Sequence, residues 1–575
     1  MTIKCILSIH IDMYIDTIPN RQSPATILLR ESYREDGKVK KRTIANISHW
    51  PNARIDAIKL LLKGEFDCGI PLDERPESGH IFGVLFTLKT IADRLHISSV
   101  LGHQKIAKLA LFLILARVAT RGSRLYALKW AENHAIAETI GITSLKKDDL
   151  YNALDWLSDH QELIEKKMFH RRYKNESPDL FLYDVTSSYF EGIKNELADW
   201  GFNRDKKNGK MQIVIGLLTD NTGEPLAVRV FEGNTSDTST IPEQILTVAQ
   251  KFKAKRVCFV GDKGMIKGPQ ISQLEDAEFN YITSITKKEI NTLIEKNCLQ
   301  YELFSEFVAE VEDNIEVEET KENEIGEIVK TTLKKTIRYV IRRNPLRMKE
   351  IRSNRNERII KAKNFAIEKT KYLRDGEKRD PEVAIRKIKD KISKYKLTKI
   401  LSAELNGDDG REIKVNLDQN ELSVAEKLDG CYVIKTDLKK DMITTQEVHD
   451  RYKDLSKVER AFKLMKTEYL EIRPIFVRLE KRTRGHVFVC ELAYMILREM
   501  RRCLSARFGI DDEGRLEIDE DIALESLSRI TLLLYKTDKG RVIPDIAEPD
   551  QRQKQILDSL GIYLPLFRYV SRKVK

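Results

Sequence analysis

The stretch Phe181–Gly192, FLYDVTSSYFEG, decides the fold. Phe181, Leu182, Tyr183 and Val185 have the composition of a strand running into a core, and Asp184 interrupts them. A carboxylate in that position is strongly unfavourable unless something compensates its charge. A turn hydrogen bond is one compensation, and a metal ion at the end of a sheet is another. The sequence around it stays strand-rich. MQIVIGLLTD (211–220) and GEPLAVRVFEGN (223–234) precede a helix near Ile241–Phe252. RVCFVGDKGM (256–265), a helix near Gln270–Ala277 and NYITSI (280–285) follow. Strands and helices in this order predict an α/β fold, a mixed sheet with helices packed on it.

Two further acids deserve the same question. Asp262 ends the apolar run RVCFV and is followed by Lys263-Gly264, which puts it either at a strand end, where sites form, or in an ordinary turn. Glu459 lies in RYKDLSKVERAFKLMKTEYLEIRPI. At 100° per residue, Leu455, Val458, Phe462 and Met465 share one face, and Tyr452, Glu459, Lys463 and Lys466 share its neighbour. Glu459 and Lys463 also have the spacing of a surface salt bridge. Taken together, three carboxylates from two strand ends and a helix suit a site for two hard cations about 3.5–4 Å apart, as phosphoryl transfer requires. The neighbouring lysines would hold phosphates.

The chain has 575 residues, too many for one core, so several domains are expected. It carries 100 Lys and Arg against 89 Asp and Glu, a net charge of +11 that suits a polyanionic partner. The charge is not evenly spread. Residues 301–330 hold eleven acids against two lysines, a net of −9, and residues 331–400 hold 24 basic against eight acidic residues, a net of +16. The basic block reads either as a solvated charged face or as a track for nucleic-acid phosphates. Seven scattered cysteines without CxxC spacing exclude a zinc ribbon and suit a reducing, cytoplasmic setting. The run LALFLILA from Leu109 is too short to span a bilayer and reads as a buried helix; no membrane partner is expected.

Before the strand-rich segment, ATILLRESYREDGKVKKRTIANIS gives two alternating runs about Asp36-Gly37, a hairpin signal. Ala135–Leu157 reads either as a helix-turn-helix reader of DNA or as a helical hairpin. The expected organisation is an N-terminal β-hairpin domain at 1–100 and a helical region, with that candidate DNA-binding segment, at 101–175. A first part of the catalytic core follows at 176–290, a charged insertion domain at 291–430, a second core part with the Glu459 helix at 431–510, and a helical C-terminal region at 511–575.

YDVTSSYFEG, the segment GFNRDKKNGKMQIVIGLLTDNTGEPLAVRVFEGNTSD, VGDKGM, and YKDLSKVERAFKLMKTEYLEIRPIFVRLEKRTRGHVFV occur in this order. Together they resemble the DDE transposases of bacterial insertion sequences, in the group with a Y-x2-R-x3-E-x6-K signature. The resemblance covers roughly residues 178–285 and 430–500, and the hairpin near Asp36-Gly37 also resembles that group's N-terminus. It implies a ribonuclease H-like core with Asp184, Asp262 and Glu459 as catalytic, metal-binding acids, and Mg²⁺ as two ions, with Mn²⁺ as a substitute. Tyr452, Glu459 and Lys466 fill the Y, E and K positions, whereas the R position is Leu455. Lys463, Arg460 and Arg451 are the candidates to replace that arginine.

The implied activity is cleavage at the ends of an insertion sequence followed by strand transfer into target DNA. The alternatives are a ribonuclease H-like nuclease without strand transfer and a non-catalytic DNA-binding descendant. Double-stranded DNA is the implied partner, a homodimer the implied paired-end assembly, and the nucleoid the implied location. Tyr452, Lys463, Lys466, Arg204 and Lys206 are the expected DNA contacts, although Arg204, Lys206, Lys207 and Lys210 read equally as a solvated hairpin tip. Glu191, Asp220 and Asp237 read as surface or turn acids, His486 as a packing residue, and Trp156 and Trp200 as core residues.

Overall fold

The computed structural model describes residues 13–20, 25–35, 38–62, 78–174, 177–205, 207, 209–254, 257–300, 303, 308–322, 328–407, 410–468, 470–473, 477–511, 515–536 and 542–565. It divides into two units, residues 81–529 with 549–563, and residues 1–80 with 530–548 and 564–575.

The larger unit is built on an eight-stranded sheet. Its strands are β1 (Leu180–Tyr189), β2 (Gln212–Asp220), β3 (Pro225–Phe231), β4 (Cys258–Gly261), β5 (Asn280–Ser284), β6 (Val308–Glu322), β7 (Ile328–Arg343) and β8 (Cys431–Thr436), in the order β6-β7-β8-β5-β4-β1-β2-β3. β1, β4 and β5 are parallel, and every other neighbouring pair is antiparallel. LFLYDVTSSY forms one continuous strand up to Tyr189. β2 is buried along its whole length, which explains an apolar run without alternation. One face of the sheet carries Phe181, Tyr183, Val185, Phe259, Tyr281 and Val433 into a single core. Leu182, Asp184 and Val260 alternate onto the other face.

The unit has four long helices, α1 (Lys105–Thr120), α2 (Lys147–Tyr173), α5 (Pro345–Arg374) and α10 (Glu480–Phe508), of which α2 and α10 pack on β3. The shorter ones are α3 (Gly268–Asp276), α4 (Lys287–Glu295), α6 (Pro381–Lys394), α7 (Gln419–Lys427), α8 (Thr445–Lys453) and α9 (Leu455–Lys463). The run from Leu109 is buried in α1 as expected. Among the described residues no helix is long and apolar enough to cross a membrane. The segment Ala135–Leu157 yields one helical turn, Ile136–Thr139, and then α2, whose Leu150, Ala153, Leu154 and Leu157 are buried. α2 packs its apolar face against α10 and α1. At the crossing with α10 the backbones touch: a β-carbon on Gly485 would lie 2.2 Å from the Leu154 carbonyl oxygen.

The charged insertion is not one body. Its acidic segment forms β6 and the start of its basic segment forms β7, and the two pair along their length, from Val308↔Arg342 to Glu322↔Ile328. Opposite charges on facing strands stabilise each other. The buried Arg338 donates to Glu310 Oε1 at 2.6 Å and to the carbonyls of Leu438 and Ile443 at 2.7 and 3.0 Å. The basic block is therefore partly consumed in structure. The remainder, α5, α6, α7 and the hairpin Leu401–Asn406/Glu412–Leu417, has a small core of its own around Ile359, Leu373, Ile388 and Ile400.

In the smaller unit, Met13–Ile18, Thr26–Glu35 and Lys38–Asn46 form an antiparallel sheet. The predicted hairpin is present, paired up to Glu35↔Lys38, while Asp36-Gly37 lies outside the described residues. The C-terminal region, expected to be helical, carries two strands, Thr531–Lys536 and Val542–Ile546, between helices. TLLLYK pairs antiparallel with the nearby Val542–Ile546 and has Ser78–Ile81 on its other edge.

Gly485→Ala forces α2 and α10 apart at a backbone contact that cannot yield. The expected result is a destabilisation of about 1–3 kcal/mol, read as a lower melting temperature by circular dichroism; an unchanged melting curve contradicts this packing.

Candidate active site

Parallel pairing sets the first two acids side by side. Leu182 of β1 pairs with Val260 of β4, and Asp184 and Asp262 each lie two residues further along their strands in the same direction. Two residues is one full period of a strand, so both carboxylates leave the sheet on the same face and at the same end. β5 continues the parallel set, with Thr283 opposite Gly261, and this brings Ser284 beside Asp262. α9 crosses over β1 and supplies Glu459.

Asp184, Asp262 and Glu459 line one open cleft of about 410 Å³, together with Lys263, Lys287, Tyr452, Lys453 and Leu455. Tyr452 ties helix to strand: its hydroxyl donates to Asp262 Oδ1 at 3.1 Å and lies 2.8 Å from Ser284 Oγ. Burial, with the Asp262 charge adding to it, holds the Tyr452 phenol well above its usual range, so it stays a donor. Its ring stacks on Tyr432, which in turn lies 2.7 Å from His449 Nε2.

Asp184 is pushed up to about 7, mainly by burial and further by the Asp262 and Glu459 charges; the Val185 amide and Arg204 pull the other way. Among the described residues Asp184 is compensated by a hydrogen bond from Val185 N–H, 2.8 Å, and by the nearby Arg204 guanidinium and Lys466 ammonium. Among the described residues no ion pair reaches Asp184, Asp262 or Glu459, and the surface bridge from Glu459 to Lys463 is not made. Three acids in one cleft without side-chain cations bonded to them fit a divalent cation bound through oxygen. Among the described residues no three Asp, Glu, His or Cys side chains are gathered closely enough to hold an ion without rearrangement.

The helix carrying the signature differs from the sequence expectation. Asp454 closes α8 and Leu455 opens α9, and after Lys463 the chain makes a π-type turn, Leu464–Glu468. Asp454, itself in a helical conformation, and the π-type turn interrupt the helix, yet Tyr452 and Glu459 still border the same cleft. Leu455 is buried and still borders the cleft. The cations bordering it are Lys263, Lys287 and Lys453, not the expected replacements. Arg451 instead approaches Asp179 at 3.8 Å. Lys463 is exposed outside the cleft lining.

Lys466 is paired with Asp205 at 2.8 Å, and Arg204 holds both oxygens of Asp237 at 2.6 Å. These two pairs pin the loop beside Asp184. Lys206 lies outside the described residues. Lys210 pairs with Glu191, and Asp220 caps its turn through Thr222 and Glu224 amides, as the sequence suggested. His486 is buried in α10. Trp156 stacks on His160, but Trp200 is 59% exposed rather than a core residue. Ser284 and Lys287 were missed by sequence reasoning. The one signal that pointed to them was that NYITSI ends at the same sheet edge as GDKG.

The transposase DDE domain model matches residues 175–496, which is 322 of the 575 residues and includes all three acids. The chain belongs to the DDE transposases. Residues 15–69 match the N-terminal domain of IS1634 family transposases, so this is a transposase of the insertion-sequence type. It is a DNA transposase, an enzyme of metal-dependent DNA cleavage and strand transfer. Solved structures similar to this transposase include a piggyBac transposase synaptic complex with hairpin DNA, at 8% identity over 83% of this chain and 75% of that one, TM-score 0.31. Another is a Mos1 transposase paired-end complex with left transposon end, at 13% identity over 28% and 58%, TM-score 0.13. No curated protein matches the transposase.

The folded-state pKa of Asp184 lies above the value for an unfolded aspartate, so its ionisation opposes folding. That penalty is absent below about pH 4, grows as pH rises, and is complete above about pH 7. Metal-free Asp184→Asn is therefore expected to melt higher than the native protein at about pH 8 and at the same temperature at about pH 4. A lower melting temperature at the alkaline end contradicts the charge argument.

Proposed function

We propose that Asp184, Asp262 and Glu459 are the catalytic acids of this transposase and that the large sheet is a ribonuclease H-like core. The observation that carries the reading is the shared cleft: two aspartates in register on parallel strands, with a glutamate from the helix above them. The strand order β3-β2-β1-β4-β5 with β2 alone reversed between β1 and β3, and β4 and β5 parallel to β1, supports the core assignment.

The three acids would hold two Mg²⁺ ions, or Mn²⁺ in their place. When bound, such ions supply Lewis-acid stabilisation of the phosphodiester and acidify the attacking water or 3′-hydroxyl. The protein's own groups do the rest. Tyr452 orients Asp262 through its hydroxyl and fixes α8 against β4 and β5. Lys263, Lys287 and Lys453 border the cleft and hold phosphate oxygens of the scissile strand, the task that an arginine at position 455 would share. Leu455 instead excludes water from one wall. Lys466 and Arg204, through Asp205 and Asp237, keep the loop beside Asp184 in place, and Lys463, exposed outside the cleft, would meet DNA there. The substrates are the terminal inverted repeats of the element and a double-stranded target. Pairing two ends calls for a homodimer, and the setting is the cytoplasmic nucleoid.

The test is cleavage of labelled DNA carrying the element's ends, with Mg²⁺ and with EDTA. Asp184→Ala, Asp262→Ala and Glu459→Ala are each expected to lower cleavage by roughly 10³-fold or more while keeping DNA binding within about threefold. Full cleavage by any one of them removes that residue from the site. Tyr452→Phe should keep DNA binding but lower cleavage about 10–100-fold, with part of the loss recovered at higher Mg²⁺, as expected for a group that orients a ligand. A Tyr452→Phe loss that no Mg²⁺ concentration relieves contradicts the orienting role.

A further inference from the structure

A second cleft, about 360 Å³, opens in the insertion between α5, the end of α6 and the start of α4. Lys287, Arg347, Arg355, Arg358 and Lys396 line it with Tyr395. Lys287 borders this cleft and the acid-bearing cleft alike, so the two share a wall. Its acids are few and already engaged. Glu350 pairs with Arg347 on the surface, and the fully buried Asp429 pairs with Arg355 and Arg352. Arg355 is nevertheless under-satisfied: its Nη1 is buried without a hydrogen-bond partner among the described residues. A buried guanidinium N–H without an acceptor is unfavourable, and an anion in the cleft would supply the acceptor.

We propose that this second cleft binds the phosphodiester backbone of the DNA strand that passes through the acid-bearing cleft, with Lys287 joining the two into one track. Three arginines suit phosphate because the guanidinium fork matches two of its oxygens. Five cations spread along an open cleft suit a chain of phosphates better than a single small anion. The track would hold the strand on the insertion while its scissile bond lies at the acids. The assignment of the strand's path rests on the function proposed above, but the binding itself does not.

The experiment uses the full chain and a fluorescent duplex carrying an element end, in EDTA, titrated between about 50 and 200 mM salt. The variant Arg347→Gln/Arg358→Gln/Lys396→Gln removes three exposed cleft cations. Each neutralised phosphate contact contributes about 0.9 to the slope of log affinity against log salt, so the slope should fall by roughly 2–3. Lys349→Gln/Lys363→Gln/Lys371→Gln, of equal charge but on α5 outside the cleft, should change it by less than about 1. Arg347→Lys/Arg358→Lys should restore most of the slope. An unchanged slope in the cleft variant overturns the proposal, and so does an equal loss in both glutamine variants. Polyglutamate that binds only the native cleft while the DNA slope stays constant would replace DNA with an acidic peptide as the occupant. A slope that falls as expected in a native protein that never cleaves would sink the catalytic assignment and leave this one standing. Cleavage with no change in slope would do the reverse.

Discussion

The pairing of β1 with β4 is the interaction on which the rest depends. The strands are parallel and in register, and two residues beyond their last mutual pair, Leu182 with Val260, stand Asp184 in the middle of β1 and Asp262 just past the end of β4. Parallel strands need a long crossover, and here it is the β2–β3 hairpin and the helical segment near Ile241 that span the 78 positions from Asp184 to Asp262. A shift of one residue in this register would send one carboxylate into the apolar core formed by Tyr183 and Phe259. The register is therefore protected by hydrophobic burial, and the chemistry is positioned by the same packing that stabilises the sheet.

Packing also explains why Glu459 arrives from so far away. β8 adds to the sheet next to β5, and β7 next to β8, so the insertion leaves and re-enters at the same edge. α8 then returns over β8, β5 and β4, and α9 over β1. Tyr452 joins this returning segment to Asp262 and Ser284 directly. On the far side, α2 and α10 clamp β3. The buried Arg229 of β3 bonds Glu165 of α2 at 2.7 Å beside the buried Glu491 of α10, whose carboxyl burial pushes well above the usual range. Breaking one partner of such a set leaves a buried charge uncompensated, which makes the helix docking specific.

The distribution of charge follows a division of labour. Acidic and basic segments that look opposed in sequence face each other across β6 and β7. Arg338 is committed to Glu310 and main-chain carbonyls, and Arg355 is only partly engaged, by Asp429. The basic groups left over are concentrated on the helical part of the insertion and around the shared Lys287. Among the described residues no ion pair reaches Asp184, Asp262 or Glu459, which share one cleft.

By itself, the sequence determined the strand bearing Asp184, the apolar run ending at Asp262, the buried helix at Leu109 and the N-terminal hairpin. Each of these rests on local hydrophobic period or turn chemistry, which a short window contains. It also carried enough motif order to point to the transposase family. What only the tertiary structure decided were relations between distant segments. Periodicity drew Tyr452, Glu459 and Lys466 on one helix, but Asp454 breaks that helix, and a π-type turn follows Lys463. Lys466 and Arg204 looked like free cations because Asp205 and Asp237 become their partners only when the loop folds onto α9 and β3's outgoing chain. Ser284 and Lys287 carry no motif, and they reach the cleft because β5 is parallel to β4. TLLLYK gained a second strand neighbour from a segment some 450 positions away, which no local pattern contains. Local pattern fixes which residues can be buried, whereas register, helix breaks and ion pairing between remote segments fix which side chains meet.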